Sequence, residues 1–336
     1  MNIKERISAF AQLGNKLKKI MDQEPDEDFF ISIKSQNPWF TEDNVKLALH
    51  NIINYLKEDH LSNWVGNYNI KEQNKKIGIV MAGNIPLVGF HDLLAVIISG
   101  NIAVIKISSQ DSFLMHFIIS ELNSLDNRFK EKIIIKDQLK DIDAIIATGS
   151  DNTSRYFEYY FSKYPNIIRK NRTSAAILDG SETKEDLQKL SDDIFSYFGL
   201  GCRNVSKLFV PNEYNFVSFL EAMSKYQYIT YNHKYSNNYD YNKSIYLVNG
   251  VKHLDNGFLL LKEDHNMVSP ISVLFFEYYS SDENLLEITN RQKDKIQCIV
   301  SKKQLTIDHK PLGDAQYPKL WDYADGVDTM RFLTEL

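Results

Sequence analysis

KKIGIVMAGNIPLVGFHDLLAVIISGNIAVIKISS, residues 75–109, decides the fold. Its two short runs, IGIV at 77–80 and IAVIK at 102–106, are rich in Ile and Val and are separated by a stretch that reads as a helix beginning near Pro86 or Leu87. Runs that are apolar at nearly every position fit strands covered on both faces, and strands alternating with helices argue for a parallel sheet. The texture continues through KIIIKD (132–137), DAIIATG (143–149) and TSAAILDG (173–180). This is a doubly wound α/β lobe. A helix from about Lys184 to Phe198 leads into GLGCRN (199–204) and a strand at 207–210. Mixed β and α segments then resume through KSIYLVNG, GFLLLKED, ISVLFFEYY and KIQCIVSK, so a second α/β lobe is expected from about residue 195. Upstream, Thr41 reads as an N-cap followed by Val45, Ala48, Leu49, Ile52, Ile53 and Leu56 at spacings of three and four, which makes residues 1–70 a helical segment.

Composition narrows the function. The 336 residues are 43% hydrophobic and 25% charged, which suits a globular chain. With 39 basic against 44 acidic residues the net charge is −5, so the basic excess that phosphate-backbone binding requires is missing and nucleic acid is not expected as a partner. Apolar runs such as Leu93 to Ile98 fall far short of a membrane span. The opening MNIKERISAF shows no secretory signal, so the expected location is cytoplasmic. Two cysteines, Cys202 and Cys298, exclude a disulfide scaffold, and eight scattered histidines give no metal-ligand spacing, so no metal is expected. Six tyrosines lie within 226–241, readable as a stacking platform or as a solvated connection.

Four windows carry chemistry. In Gly199-Leu200-Gly201-Cys202-Arg203-Asn204 the glycines leave room at the sulfur and Arg203 favours the thiolate, although a small buried thiol is the other reading. Cys298, inside KIQCIVSK, reads as a core residue. In Met81-Ala82-Gly83-Asn84 the asparagine follows a buried strand, where ligands of open α/β sheets bind; a turn role is the alternative. Lys106, Ser108 and Ser109 end the next strand with groups suited to a ribose or phosphate, and Thr148, Gly149 and Ser150 end another before a helical stretch at 152–161. His91 and Asp92 read as a first polar turn of the helix after Asn84 rather than a catalytic pair. P-loop, GxGxxG, HExxH and GxSxG motifs are not found.

In this order the windows resemble the aldehyde dehydrogenase superfamily, and within it the LuxC-like acyl-CoA reductases. The matching stretches are GNIPLVGFHDLL (83–94), IRKNRTSAAILDG (168–180), FGLGCRNVSKLFVP (198–211) and LWDYADGVDTMRFL (320–333). The resemblance implies an aldehyde dehydrogenase-like fold: a helical segment at 1–70, an NADP-binding domain at 71–195, a catalytic domain at 196–310, and a tail at 311–336 packing back on the cofactor domain. It implies NADPH-dependent reduction of an acyl thioester, fatty acyl-CoA or an acyl-carrier thioester, to the aldehyde. Cys202 falls at the nucleophile and Lys207 at a basic position five residues on. Asn84 falls at the amide donor to the oxyanion. Lys106, Ser108, Ser109, Thr148, Gly149 and Ser150 fall at the cofactor site. Ser109 replaces a glutamate that in NAD-preferring relatives would repel a 2′-phosphate.

Residues Ile168 to Thr173 lack the water-activating glutamate of hydrolytic relatives, which favours reduction over aldehyde oxidation. Asn266, in HNMVSP, stands near the place of a second superfamily glutamate. The chain is shorter than is usual for the superfamily, so the oligomeric state stays open. An acyl-transferring or acyl-activating enzyme is the partner that the resemblance implies. The alternatives are an NAD(P)-dependent aldehyde dehydrogenase and a non-catalytic cofactor-binding or interaction protein.

Overall fold

The structure, a computed structural model, describes residues 1–23, 27–149 and 151–336. The chain divides into two units: Met1–Asn171 with Pro318–Leu336, and Arg172–Tyr317.

The first unit opens with helices α1 (Ile3–Asp22), α2 (Glu27–Gln36), α3 (Glu42–Tyr55) and α4 (Glu58–Val65). A capping box between Asn2 and Glu5 starts α1. Thr41 stands at the N-cap position of α3 in extended backbone, but its side chain makes no cap hydrogen bond. Strands β1 (Lys76–Val80), β2 (Ile102–Lys106), β3 (Ile133–Ile135), β4 (Ala144–Thr148) and β5 (Asn166–Arg169) follow, with helices α5 (Phe90–Ile98), α6 (Ser112–Leu125), α7 (Phe129–Lys132) and α8 (Asp151–Phe161) between them. The strands form one parallel sheet in the order β3-β2-β1-β4-β5. The helical segment at 1–70 is no separate body: Phe10, Leu13, Leu17, Val45, Leu49 and Ile52 share one apolar core with β1, β2 and α5. Leu320, Met330 and Leu333 join that core. Each such burial is worth about 1.5–3 kcal/mol, so residues 318–336 are part of what holds the unit together.

The helix after Asn84 begins at Phe90, three to four residues later than its sequence predicts. The delay lies at Leu87, whose φ of 57° is left-handed and whose N–H is accepted by Asp111 rather than by a helical carbonyl.

The second unit contains β6 (Thr173–Ile177), α9 (Lys184–Phe195), β7 (Val205–Pro211), α10 (Phe216–Ala222), α11 (His233–Val248), β8 (Leu254–Asp255), β9 (Leu260–Glu263), β10 (Val273–Tyr279), α12 (Asp282–Gln292) and β11 (Ile296–Ser301). Its sheet runs β11-β6-β7-β10-β9-β8, parallel except for the β8–β9 pair. The second unit therefore starts at residue 172, not near 195. TSAAILDG supplies β6, which pairs with β7 through Ala176↔Leu208 and with β11 through Ala176↔Val300, while β5, a strand the sequence reading did not identify, completes the first sheet. A wholly apolar strand satisfies either sheet equally, so its texture does not reveal which one it joins.

Candidate active site

In the first unit the ends of the parallel strands collect the predicted cofactor residues along one edge, which is where open α/β sheets bind ligands. Val80 at the end of β1 is level with Lys106 of β2 on one side and Ala147 of β4 on the other. Lys106 and Ser109 are exposed, and Thr148 and Gly149 are half-buried. Ser108 caps the short turn that follows, accepting the Gln110 N–H, and it lies against Gly83: a Cβ on that glycine would collide with the Ser108 side chain, standing 2.8 Å from its Cβ. Only a residue without a side chain permits this approach. Asn84, one residue further, is exposed. Ser150 lies outside the described residues.

A second lysine was missed by sequence reasoning. Ile135 pairs with Ile105, and the Lys136 N–H is accepted by the Ile105 carbonyl, so exposed Lys136 stands at the strand end next to Lys106. Two cations, several hydroxyls and a glycine at one sheet edge fit the phosphates and ribose of a dinucleotide.

Beneath this edge, Arg169 at the end of β5 forms a buried ion pair with Asp92 of α5 and donates to Thr329 Oγ at 3.1 Å. Its carbonyl accepts the Gly149 N–H at 3.4 Å. Asp92 is therefore an internal brace, and His91 packs against the rings of Tyr55, Trp64 and Tyr323 with Nε2 2.8 Å from the Leu320 carbonyl.

In the second unit, α9 ends at Phe195 and a tight 3-10 turn covers Ser196–Gly199, where a continuous helix to Phe198 was expected. Tyr197, Phe198 and Gly199 are all left-handed, with φ of 52°, 57° and 76°. Non-glycine residues in this region cost about 1–3 kcal/mol each, so the surroundings must hold them. Asn204 is the main restraint: it is 1% exposed, its Oδ1 accepts the Gly201 N–H at 2.8 Å, and its amide protons are shared among the carbonyls of Ser196, Asp193 and Ile194. The result is a turn, Gly201 to Asn204, whose two ends are buried while Cys202 stays half-exposed. A half-exposed cysteine held this way keeps its place without any movement of the backbone.

Ser174 of β6 ties the turn to β11. Its hydroxyl donates to the Cys202 carbonyl at 3.1 Å and lies 3.1 Å from Cys298 Sγ. The Ser174 hydroxyl also accepts the Cys298 N–H at 3.3 Å, so it meets both the backbone and the thiol of Cys298. Burial pushes that thiol up from its ordinary range, against the pull of Arg203 and the Ser174 contact. Cys298 is half-exposed rather than part of the apolar core, and Ser174 ties it to the Cys202 carbonyl. Neither cysteine is in a disulfide.

Lys207 is fully buried, pairs with Glu277 of β10 at 2.8 Å and also donates to the Asp264 carbonyl, so it braces β7 against β10. Burial lowers its pKa, against the pull of Glu277. Asn266 folds back on Asp264 through its backbone and side-chain nitrogens. The tyrosine cluster divides: Tyr235 and Tyr239 are buried and Tyr226 stacks on Phe195 at 4.9 Å, whereas Tyr228, Tyr231 and Tyr241 are exposed, as a solvated connection would have them. Ser174, Asn204, Lys136 and Asp111 are the residues to which sequence reasoning gave no role. Only Asn204 had a local signal, an asparagine two residues after a cysteine in a glycine-rich turn.

The sequence model of the acyl-CoA reductase (LuxC) family matches residues 10–236. The chain belongs to this family. Among curated proteins, the long-chain acyl-protein thioester reductase of Aliivibrio fischeri is 24% identical over 201 residues, 54% of this chain and 42% of the relative. The match thus spans less than half of that relative's length. Among solved structures, an aldehyde dehydrogenase from Physcomitrella patens, crystallised with its reaction product succinate, is similar over 100% of this chain and 84% of its own, with a TM-score of 0.70 and 15% identity. An aldehyde dehydrogenase from Mycobacterium tuberculosis, complexed with NAD+, covers 91% of this chain and 74% of its own at a TM-score of 0.64 and 13% identity. At such identities the likeness establishes an aldehyde dehydrogenase fold for this LuxC-family chain. The family match includes Asn84, Lys106, Ser108, Ser109, Thr148, Gly149 and Cys202.

Proposed function

We propose that this chain reduces an acyl thioester to the aldehyde through an acyl-enzyme on Cys202, with NADPH as reductant. The observation that carries the reading is the Gly201–Asn204 turn, which holds half-exposed Cys202 on a backbone pinned at Gly201 and at the Cys202 carbonyl. Such a thiol suits attack on a carbonyl carbon. The Cys202 thiol gives its proton to water and its sulfur bonds to the thioester carbon, the bond from that carbon to the donor's sulfur breaks, and the donor leaves as a thiolate that takes a proton back from water. Asn84 is the proposed side-chain donor to the carbonyl oxygen while it carries negative charge. Residues 168–173 carry no carboxylate, so no group there draws a proton from water to hydrolyse the acyl-enzyme.

When bound, the reduced nicotinamide supplies the hydride that yields the aldehyde. Lys106, Lys136, Ser108, Ser109, Thr148 and Gly149 are proposed to hold the cofactor. Paired lysines at adjoining strand ends, with serine at position 109 in place of a carboxylate, favour a ligand bearing the extra 2′-phosphate over one that lacks it. The name of the Aliivibrio relative supports a long acyl chain and a protein thiol as one donor. Coenzyme A is the other.

Intact-protein mass spectrometry tests the reading. Wild type and Cys202→Ser are incubated with acyl-CoAs from short to long chains and with an acyl-carrier protein, then with NADPH. An acyl mass on wild type, absent from Cys202→Ser and discharged by NADPH with aldehyde formed, is expected. No adduct from any donor, or an adduct that Cys202→Ser retains, refutes the reading.

A further inference from the structure

Asp111 is buried to 1% exposure at the end of the short turn Ser109–Asp111 that follows β2, and the proposed chemistry makes no use of it. Its Oδ2 accepts the Leu87 N–H at 2.9 Å, and its Oδ1 is buried with no hydrogen-bond partner among the described residues. Leu87 is three residues after Asn84 and sits at φ 57°, a conformation that a leucine keeps only where its neighbours hold it. Pro86, between them, has no N–H to contribute. Leu87 is held on its carbonyl side by the Phe90 N–H at 3.0 Å and on its N–H side by Asp111. At the other end of the same turn, Gly83 lies directly on Ser108. The turn 83–87 and the loop 108–111 therefore meet at two points, one on each side of Asn84.

We propose that Asp111 is a positioning residue: through the Leu87 N–H it fixes the turn that carries Asn84 to the loop that carries Ser108 and Ser109. The inference rests on the reading of Asn84 as the donor to the carbonyl oxygen. Burial pushes the Asp111 carboxyl up to about 8, so at neutral pH the group is mostly neutral and asparagine is its near isostere.

A double-mutant cycle on the rate of Cys202 acylation by octanoyl- and palmitoyl-CoA, followed by rapid-quench mass spectrometry, tests it. Asn84→Ala is expected to slow acylation by about 10²–10³. Asp111→Ala is expected to slow it by up to about 10², the cost of a misplaced catalytic group. The double variant is expected to be no slower than Asn84→Ala alone, and Asp111→Asn, which keeps an acceptor for Leu87, is expected to stay close to wild type. If Asp111→Ala does not fold, Asp111→Ser, which shortens the acceptor, takes its place in the cycle. Slowing by Asn84→Ala with either no effect of Asp111→Ala or an additive one overturns the positioning role and leaves the proposed function standing. Absence of acylation in wild type, or an Asn84→Ala variant that acylates normally, overturns both.

Discussion

Asn204 Oδ1 accepts the Gly201 N–H at 2.8 Å, so the residue two positions after Cys202 holds the residue one position before it. The same side chain reaches three carbonyls at the end of α9, which links the turn to the helix. Replacing Asn204 with alanine leaves these buried groups unsatisfied, at about 1–3 kcal/mol for each one lost. Urea unfolding of Asn204→Ala is expected to show a loss of at least that size. A variant as stable as wild type would mean that water replaces the amide at no cost.

The Arg169–Asp92 pair is buried on both sides. Removing one member strands a charge, which costs about 3–5 kcal/mol, whereas replacing both by apolar residues of similar volume is often neutral. Arg169→Met alone should therefore destabilise the chain strongly in urea titrations, and Asp92→Leu added to it should restore most of the loss. Additive losses in the double variant would show that the pair is not the unit of stability.

Asp193 is fully buried, with its carboxylate accepting the N–H groups of Gly313 and Ala315, and burial pushes it up to about 7 from an ordinary value of 3.8. Between those two values the folded chain retains a proton that the unfolded chain has released. Its contribution is therefore fully present in acid, declines as pH rises from about 4 to about 7 by up to about 1.4 kcal/mol per pH unit, and is flat above. Asp193→Asn should flatten that limb of the stability profile. An unchanged slope would place the titration elsewhere.

At Gly83 an added methyl would collide with Ser108 Oγ. Overpacking of this kind costs about 1–3 kcal/mol, so Gly83→Ala should lower the melting temperature and weaken NADPH binding, read by reduced-nicotinamide fluorescence. Ser108→Gly in the same chain should recover the melting temperature. No recovery would show that the strain falls on the backbone instead.

Most strands, β5 excepted, were legible because the bodies of runs such as IAVIK and AIIAT are apolar at successive positions and so suit cover on both faces. The strand-end groups Lys106, Ser109 and Thr148 were legible for the opposite reason, as polar residues closing apolar runs. What stayed hidden depends on residues far apart in sequence. Leu87 gives no local sign of its left-handed backbone, since the carboxyl that holds it lies 24 positions on. Cys298 reads as core until Ser174, 124 positions away, connects it to the Cys202 carbonyl. The helix leading to Cys202 was overextended because nothing in SYFG announces that Asn204 claims the Ser196 carbonyl.

The first unit takes its residues from both ends of the described chain, whereas the second is one uninterrupted stretch. During synthesis, residues 172–317 are therefore all available before Leu320, Met330 and Leu333 emerge to fill the first unit's core and before Thr329 reaches Arg169. Domains generally fold as units while the chain is made. The later-numbered unit is thus the one able to complete first, and the first unit waits, with part of its apolar interior uncovered, for residues 318–336. A chain cut after residue 317 would keep every residue of the thiol-bearing unit and leave the other with the places of Leu320, Met330 and Leu333 open, an apolar surface for chaperones to shield.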